Sequence, residues 1–542
     1  MKDFLSPADL WSQFEIPEST DYQTLQTDEF GEYVYEQISI SGHKYGDGTC
    51  RIFGVYAYAK NAGKAMPCVL LVHDLGGRVD FSYIDYFLHL GFSVFMPDYS
   101  GYREGERHTI FPPSREHMNF ASRTTSDINR EIEKSVWIHD TLIFRYCLAF
   151  LRGREEINSS KIGAVSLGIG SIIGFHLAFC EPTLALSVAF HYGGWRDFEN
   201  ISKQLDFDKA KYLLLVAPQV YSQIAKVPLF LLGSTNTRIG DSDKIFDTFA
   251  RCNGSVSNFL YLSPNYISTV DHLATRNLRL LLNQYLAGSH TEIPMPPHLE
   301  YSIEGGELFV TCEIPSEFSA KSVKLFFSQG ENQSHLRAYK FVELVATPDG
   351  RFVGNLNVSS ALSTTMIANV EYLNGFTLTS NQLKVPPFGD VLKKHGVITL
   401  GGRDSFFPLG TLTFPNANQF FRDKSQVVSM PIAHGIIGVS APRIATFALA
   451  DITLEKENKT ILLQIYSDLP QKIRLLLSVS DNLEADFSTT IDLVGGEFWQ
   501  KTLLDPSNFI DAELKPLASF ENCTLAFFTS DYDFYISNMS LV

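Results

Sequence analysis

The chain has 542 residues, too many for one hydrophobic core, and its 45% apolar and 19% charged content is that of folded domains. The net charge of −16 comes with no basic cluster, which argues against a nucleic-acid binder. No run of about 18 apolar residues is present to span a membrane. The N-terminal residues lack the apolar core of a signal peptide, so the expected location is cytoplasmic. The seven cysteines, at 50, 68, 147, 180, 252, 312 and 523, lack metal-ligand spacing and mostly sit in apolar runs as small buried hydrophobes. No metal and no cofactor is expected.

Residues 1–30 are mixed and helix-poor, with Trp11 and Phe14 placed to pack a lead-in segment onto the main body. Strand patterns follow over 34–41 and 51–58. The run Cys68-Val69-Leu70-Leu71-Val72 is apolar throughout, as in a strand covered on both faces. It leads into His73-Asp74-Leu75-Gly76-Gly77, a helical pattern over 83–90, and a second apolar strand over 92–96 that ends at Pro97-Asp98-Tyr99. Residues 100–130 are polar and loop-like. A helical pattern over 138–151 precedes the stretch on which the chain is organised.

That stretch is Ile162-Gly163-Ala164-Val165-Ser166-Leu167-Gly168-Ile169-Gly170. An apolar strand reaches a serine, turns on small residues and continues into a helical pattern over 171–180. This reads as a nucleophile elbow at Ser166, with Ala164 and Gly168 in the two glycine places of G-x-S-x-G. Two other readings use the same residues. Gly168, Gly170 and Gly174 form a G-x-G-x-x-x-G that could cradle a dinucleotide phosphate, although the next strand ends in His191 and Tyr192 with no acid to hold a ribose. The plainer reading is a strand–turn–helix whose serine has no role.

Strand–helix alternation continues through 184–189, 228–232, 243–251, 258–262 and 277–286, the mark of a mostly parallel sheet flanked by helices. After the stiff Ile293-Pro294-Met295-Pro296-Pro297 the texture changes to about seven short strands, including 307–313, 322–328, 338–345 and 366–373. These predict an immunoglobulin-like β-sandwich. Residues after Pro386-Pro387, with clear strands over 460–467, 472–478, 487–493 and 523–528, predict a larger jelly-roll-like β-sandwich. The expected domains are 1–290, 291–388 and 389–542.

In this order of elements, residues 33–288 resemble the α/β-hydrolase fold, in its branch of dienelactone hydrolases, acetylxylan esterases and cephalosporin-C deacetylases. The Arg51–Gly54 approach strand, the His73–Gly77 turn, the Pro97–Gly101 turn and the Ser166 elbow carry the resemblance. The C-terminal block resembles carbohydrate-binding jelly rolls, especially around 496–506. The resemblance implies that Ser166 attacks an ester carbonyl while the N–H groups of Leu75 and Leu167 hold the oxyanion. It also implies an acid after the strand at 228–232 and a histidine base after the strand at 258–262.

The chain departs from that pattern at both places. The acid turn carries Asn236 and Thr237 where relatives commonly carry Asp, and Asp241 follows a few residues late. The base turn has Ser268 and Thr269 where relatives often carry His. The only histidine there is His272, beside Asp271. His73, His191 and Trp195 are the candidate substrate-pocket side chains, beside a plainer reading in which His73 holds its turn together and 190–195 form a rigid aromatic loop. Two functions follow from different classes. One is a serine carboxyl-ester hydrolase acting on a small or sugar-like acylated substrate. The other is a degenerate hydrolase fold that serves as a binding or scaffold protein, with glycan contact by the C-terminal sandwich.

Overall fold

The computed structural model describes all residues except 1–3, 46–47, 62, 64, 75, 102–106, 113–134, 193–208, 238–239, 396–397, 401–404, 409–416, 422–426, 442 and 480–484. It divides into two compact units. The first comprises residues 1–233, 239–260 and 276–293, and the second comprises 234–238, 261–275 and 294–542.

The first unit is built on the nine-stranded sheet in the order β1-β2-β3-β5-β4-β6-β7-β8-β9. The strands are β1 (Tyr22–Phe30), β2 (Tyr33–Tyr45), β3 (Gly48–Ala59), β4 (Met66–Val72), β5 (Ser93–Pro97), β6 (Ile157–Leu167), β7 (Leu186–Phe190), β8 (Leu229–Ser234) and β9 (Asn258–Ser263). β1 to β3 form an antiparallel meander and β3 runs antiparallel to β5, whereas β5-β4-β6-β7-β8 are parallel neighbours. The parallel strands at the centre are apolar throughout: Cys68 to Val72 are each at most 1% exposed, as a sheet covered on both faces requires.

Among the described residues the sheet is accompanied by the helices α1 (Pro7–Trp11), α2 (Phe81–His89), α3 (Val136–Arg152), α4 (Ser171–Cys180), α5 (Lys209–Leu215), α6 (Pro218–Ile224), α7 (Ser242–Ala250) and α8 (His272–Tyr285). α4 has no polar face. Every residue from Ser171 to Phe179 is buried, so the helix belongs in the interior beside β7 and α6. The lead-in segment packs as expected: Trp11 is buried, and its indole Nε1–H donates to the Tyr221 hydroxyl at 2.8 Å. Strand β1 was not anticipated. Its residues are exposed on both faces apart from Asp28, so no burial alternation marks it, and only backbone pairing to β2 makes it a strand. Most of the polar stretch 100–130 lies outside the described residues.

In the second unit two β-sandwiches follow one another in sequence. The first pairs β10 (His298–Glu304), β11 (Glu307–Glu313), β15 (Phe352–Leu356) and β14 (Val345–Ala346) in one sheet. The other sheet holds β13 (Lys340–Glu343), β12 (Ala320–Gln329), β16 (Thr364–Tyr372) and β17 (Thr377–Thr379), with β18 (Leu383–Val385) on β16. The single strand expected over 338–345 is in fact split at buried Leu344, one part in each sheet. The second sandwich stacks a six-stranded and a five-stranded sheet on one core, in which Leu463, Ile465 and Met539 of one sheet meet Ile473, Leu475 and Phe528 of the other.

Candidate active site

The strand-to-helix turn after β6 is sharp, and its strained residue is not Ser166. Ser166 is still inside the sheet, with Val72 and Ala189 as its partners on either side. Its side chain is 0% exposed, and its hydroxyl donates to the Val188 carbonyl at 3.0 Å. Helix α4 closes over it so tightly that a Cβ on Gly174 would lie 2.3 Å from Ser166 Oγ. The expectation that Ser166 faces a pocket is therefore corrected: its hydroxyl points into the packed layer between β6 and α4.

The turn itself begins two residues later. Leu167 is extended (φ −114°, ψ 138°) and paired with Phe190, so its N–H is not the turn amide it was expected to be. Gly168 adopts φ +53°, the left-handed conformation on which such a turn pivots. The frame is thus Ser166-x-Gly168-x-Gly170, and glycine stands where the fold presents its nucleophile. The N–H of the following residue, Ile169, is the amide that would stabilise an oxyanion. It donates instead to Asp74 Oδ1 at 2.8 Å. A Cβ on Gly168 would fall 2.2 Å from the Asp74 carboxyl carbon. The carboxylate of Asp74 thus fills the space that a nucleophile and an oxyanion would share. Leu75, the other expected oxyanion donor, lies outside the described residues.

His73 belongs to the same turn and ties it together. Its ring stacks on Tyr99 (centroids 4.3 Å apart, 18° between planes) and its Nδ1 lies 2.8 Å from the Asp74 carbonyl. Its own carbonyl accepts the Tyr99 hydroxyl at 2.9 Å. His191 is held at φ +58° and is 5% exposed. Burial drives its imidazole down to about 3, so the ring is neutral at pH 7. Neither histidine is an open pocket wall. Trp195 lies outside the described residues. Asp241 caps α7 by accepting the Asp243 N–H at 3.0 Å and pairs with Lys244 at 3.6 Å. Those partners make it a helix cap rather than a triad acid.

In the second unit the acid turn and the base turn are fastened to each other and to both sandwiches. Asn236 is completely buried, and its amide nitrogen donates to the carbonyls of His335 (3.0 Å) and Arg337 (2.8 Å). The Thr235 hydroxyl donates to its Oδ1 at 2.6 Å. Asn265 makes a two-way clasp on Tyr339, giving its amide N–H to the carbonyl and accepting the backbone N–H, both at 2.8 Å. Thr269, in the usual histidine place, is buried and donates to the Pro408 carbonyl at 3.2 Å. Asp271 caps α8 through the N–H groups of Leu273 and Ala274, both at 3.0 Å, and accepts the Tyr261 hydroxyl at 2.6 Å. His272 is the first residue of that helix and half-buried. Asn236, Asn265 and Thr269 are structural fasteners here. The sequence signal for this was their identity: Asn, Thr and Asn make directional backbone bonds that an aspartate–histidine pair does not need.

Two buried histidines make the first unit acid-sensitive. His176 is held near 4 by burial, which outweighs the opposing hydrogen bond from its Nε2 to the Val216 carbonyl at 2.7 Å. Both this ring and His191 are lower in the folded state than the ordinary value of about 6.5. The unfolded chain therefore binds the extra protons first. The stability that neutral burial contributes is complete above pH 6.5 and is lost as the pH falls towards 4. Urea unfolding at pH 7.5 and 4.5 should show a loss that His176→Gln reduces by on the order of 3 kcal/mol.

No family model matches the chain, and no curated protein matches it. Among solved structures it is similar to acetyl xylan esterase 1 from Thermoanaerobacterium sp. JW/SL YS485, with 11% identity over 52% of this chain and 92% of that one and a TM-score of 0.40. An acetyl xylan esterase from Paenibacillus sp. R4 gives 13% identity over 52% and 92%, with a TM-score of 0.40. A glucuronoyl esterase from Solibacter usitatus gives 8% over 50% and 86%, with a TM-score of 0.36. These neighbours are carboxylic-ester hydrolases. Strand order, the parallel centre and the sharp turn after β6 decide the fold independently of these likenesses. The first unit has the α/β-hydrolase fold. Among its described residues, and those of the sandwiches, no group of three or more His, Cys, Asp and Glu is placed to hold a metal ion. No described helix is long and apolar enough to cross a membrane.

Proposed function

We propose that this chain is a non-catalytic α/β-hydrolase-fold protein that works by binding, with its β-sandwiches as the scaffold. The observation that carries the reading is Gly168 at the pivot of the elbow, with the Asp74 carboxylate on the Ile169 amide. Glycine supplies no nucleophile, and a carboxylate already bound in the oxyanion position opposes a second negative charge there. The fastening of Asn236 and Thr269 supports the same reading, since neither side chain is available to orient or to be a base. Glycan contact by the last sandwich is part of the proposal. Phe498, 49% exposed, and its half-buried neighbour Trp499 are the side chains that would stack on a sugar ring.

The test is labelling of the full-length protein by a fluorophosphonate probe, together with p-nitrophenyl acetate hydrolysis, in wild type and Ser166→Ala. The expected result is no labelling and a background rate unchanged by the substitution. Labelling that disappears in Ser166→Ala would return the protein to the serine esterases, with Ser166 rotating out of its bond to Val188.

A further inference from the structure

The first unit holds a cleft of about 530 Å³ whose lining residues include neither Ser166 nor Gly168. Its size suits a small molecule. Strand register builds its floor: Gln26 of β1 pairs with Gln37 of β2, which pairs with Val55 of β3, placing the three side by side on one face. Phe53, two residues before Val55, lines the same cleft. Phe81, at the start of α2, is 47% exposed at the cleft, a large aromatic left to water.

Besides Gln26 and Gln37 of the floor, polar groups come from three other segments: Arg78 and Asp80 before α2, Asp98 and Ser100 after β5, and Arg107 and His108 further on. The two carboxylates are committed within the protein. Asp98 accepts the N–H groups of Ser100 (2.9 Å), Gly101 (3.2 Å) and Thr109 (2.8 Å) and the Ser100 hydroxyl (2.7 Å). Asp80 caps α2 by accepting the Ser82 N–H at 2.8 Å. The two guanidinium groups are exposed. Arg107 lies over the floor, donating one N–H to Gln37 Oε1 at 2.7 Å, and a guanidinium carries five donors.

We propose that this cleft binds a small aromatic acid. Its carboxylate or phosphate head would be forked by Arg78 and Arg107, and its ring would lie against half-exposed Phe81. Planar guanidinium groups match both oxyanion heads in the same bidentate way, and an aromatic floor beside them supplies the apolar half. The proposal does not depend on whether the elbow is catalytic, because the cleft contains neither Gly168 nor Ser166.

The experiment is isothermal titration of the full-length protein with 4-methylbenzoate, phenyl phosphate and, as the neutral control, benzyl alcohol. Saturable binding of at least one of the two anions is expected, at least about tenfold tighter than the alcohol, because charge-assisted hydrogen bonds account for the difference. Which anion binds more tightly identifies the head group. Arg78→Ala/Arg107→Ala should weaken that binding by about tenfold or more. Gln26→Trp, at an exposed strand position, should fill the cleft and abolish binding with an unchanged melting temperature. Neither anion saturating below about 10 mM, equal binding of the neutral alcohol, or full affinity in the double arginine variant would each overturn the proposal.

Discussion

Replacing Asn236 with aspartate is expected to destabilise the second unit by roughly 3 kcal/mol or more and to leave ester hydrolysis unchanged. In an α/β-hydrolase resemblance the same substitution would restore a triad acid and raise the rate. The structure reverses that expectation. The amide nitrogen of Asn236 faces the carbonyl oxygens of His335 and Arg337 at 3.0 and 2.8 Å, and the residue is fully buried. Aspartate would set a negative oxygen against two carbonyl oxygens with no water to screen them. Such a carboxyl is raised above its ordinary value, and once protonated it can donate one hydrogen bond to one of the two carbonyls. The penalty is therefore present above that raised value and shrinks as the pH falls. Urea unfolding of Asn236→Asp at pH 7.5 and 5 should show this, with the gap to wild type narrowing at the lower pH. Asn236→Ala removes the donors without adding charge and should cost less, about 1–3 kcal/mol, at both values. An increase in p-nitrophenyl acetate turnover in Asn236→Asp would mean that the turn still serves a triad.

The elbow offers an equally large effect. Gly168→Ser places a hydroxyl where the fold normally carries its nucleophile, yet it should destabilise the first unit by about 3 kcal/mol or more. The new Cβ would meet the Asp74 carboxyl carbon at 2.2 Å, and the backbone there is at φ +53°. Asp74→Ala alone should cost less, since it takes the carboxylate from the Ile169 N–H without forcing any new atom into the turn. Combined, the two should be less damaging than their sum, because truncating Asp74 removes the clash that Gly168→Ser creates. A four-member denaturation cycle measures this coupling. Gly168→Ser that is as stable as wild type with Asp74 intact would show that the close approach does not exist. The double variant is also the form in which slow fluorophosphonate labelling is expected.

What the sequence determined by itself was the layering. The apolar run from Cys68 to Val72 reads as a strand covered on both faces, and 171–180 as an apolar stretch with helical spacing, which the structure buries from Ser171 to Phe179. The change of texture after 293 likewise announced the sandwiches. What it left open was the frame of the turn between β6 and α4. Residues 164, 166, 168, 170 and 171 are all small, so any of several could take the strained position. The choice was made by neighbouring strands: pairing to β4 and β7 holds Ser166 and Leu167 inside the sheet, and the chain can pivot only at Gly168. The fate of Asn236 was out of local reach for a similar reason. Its partners, His335 and Arg337, lie about a hundred residues along the chain, on a loop of the sandwich. Side-chain identity there was legible, but whether an amide orients a histidine or clasps a distant backbone depends on which carbonyls the tertiary fold brings to it.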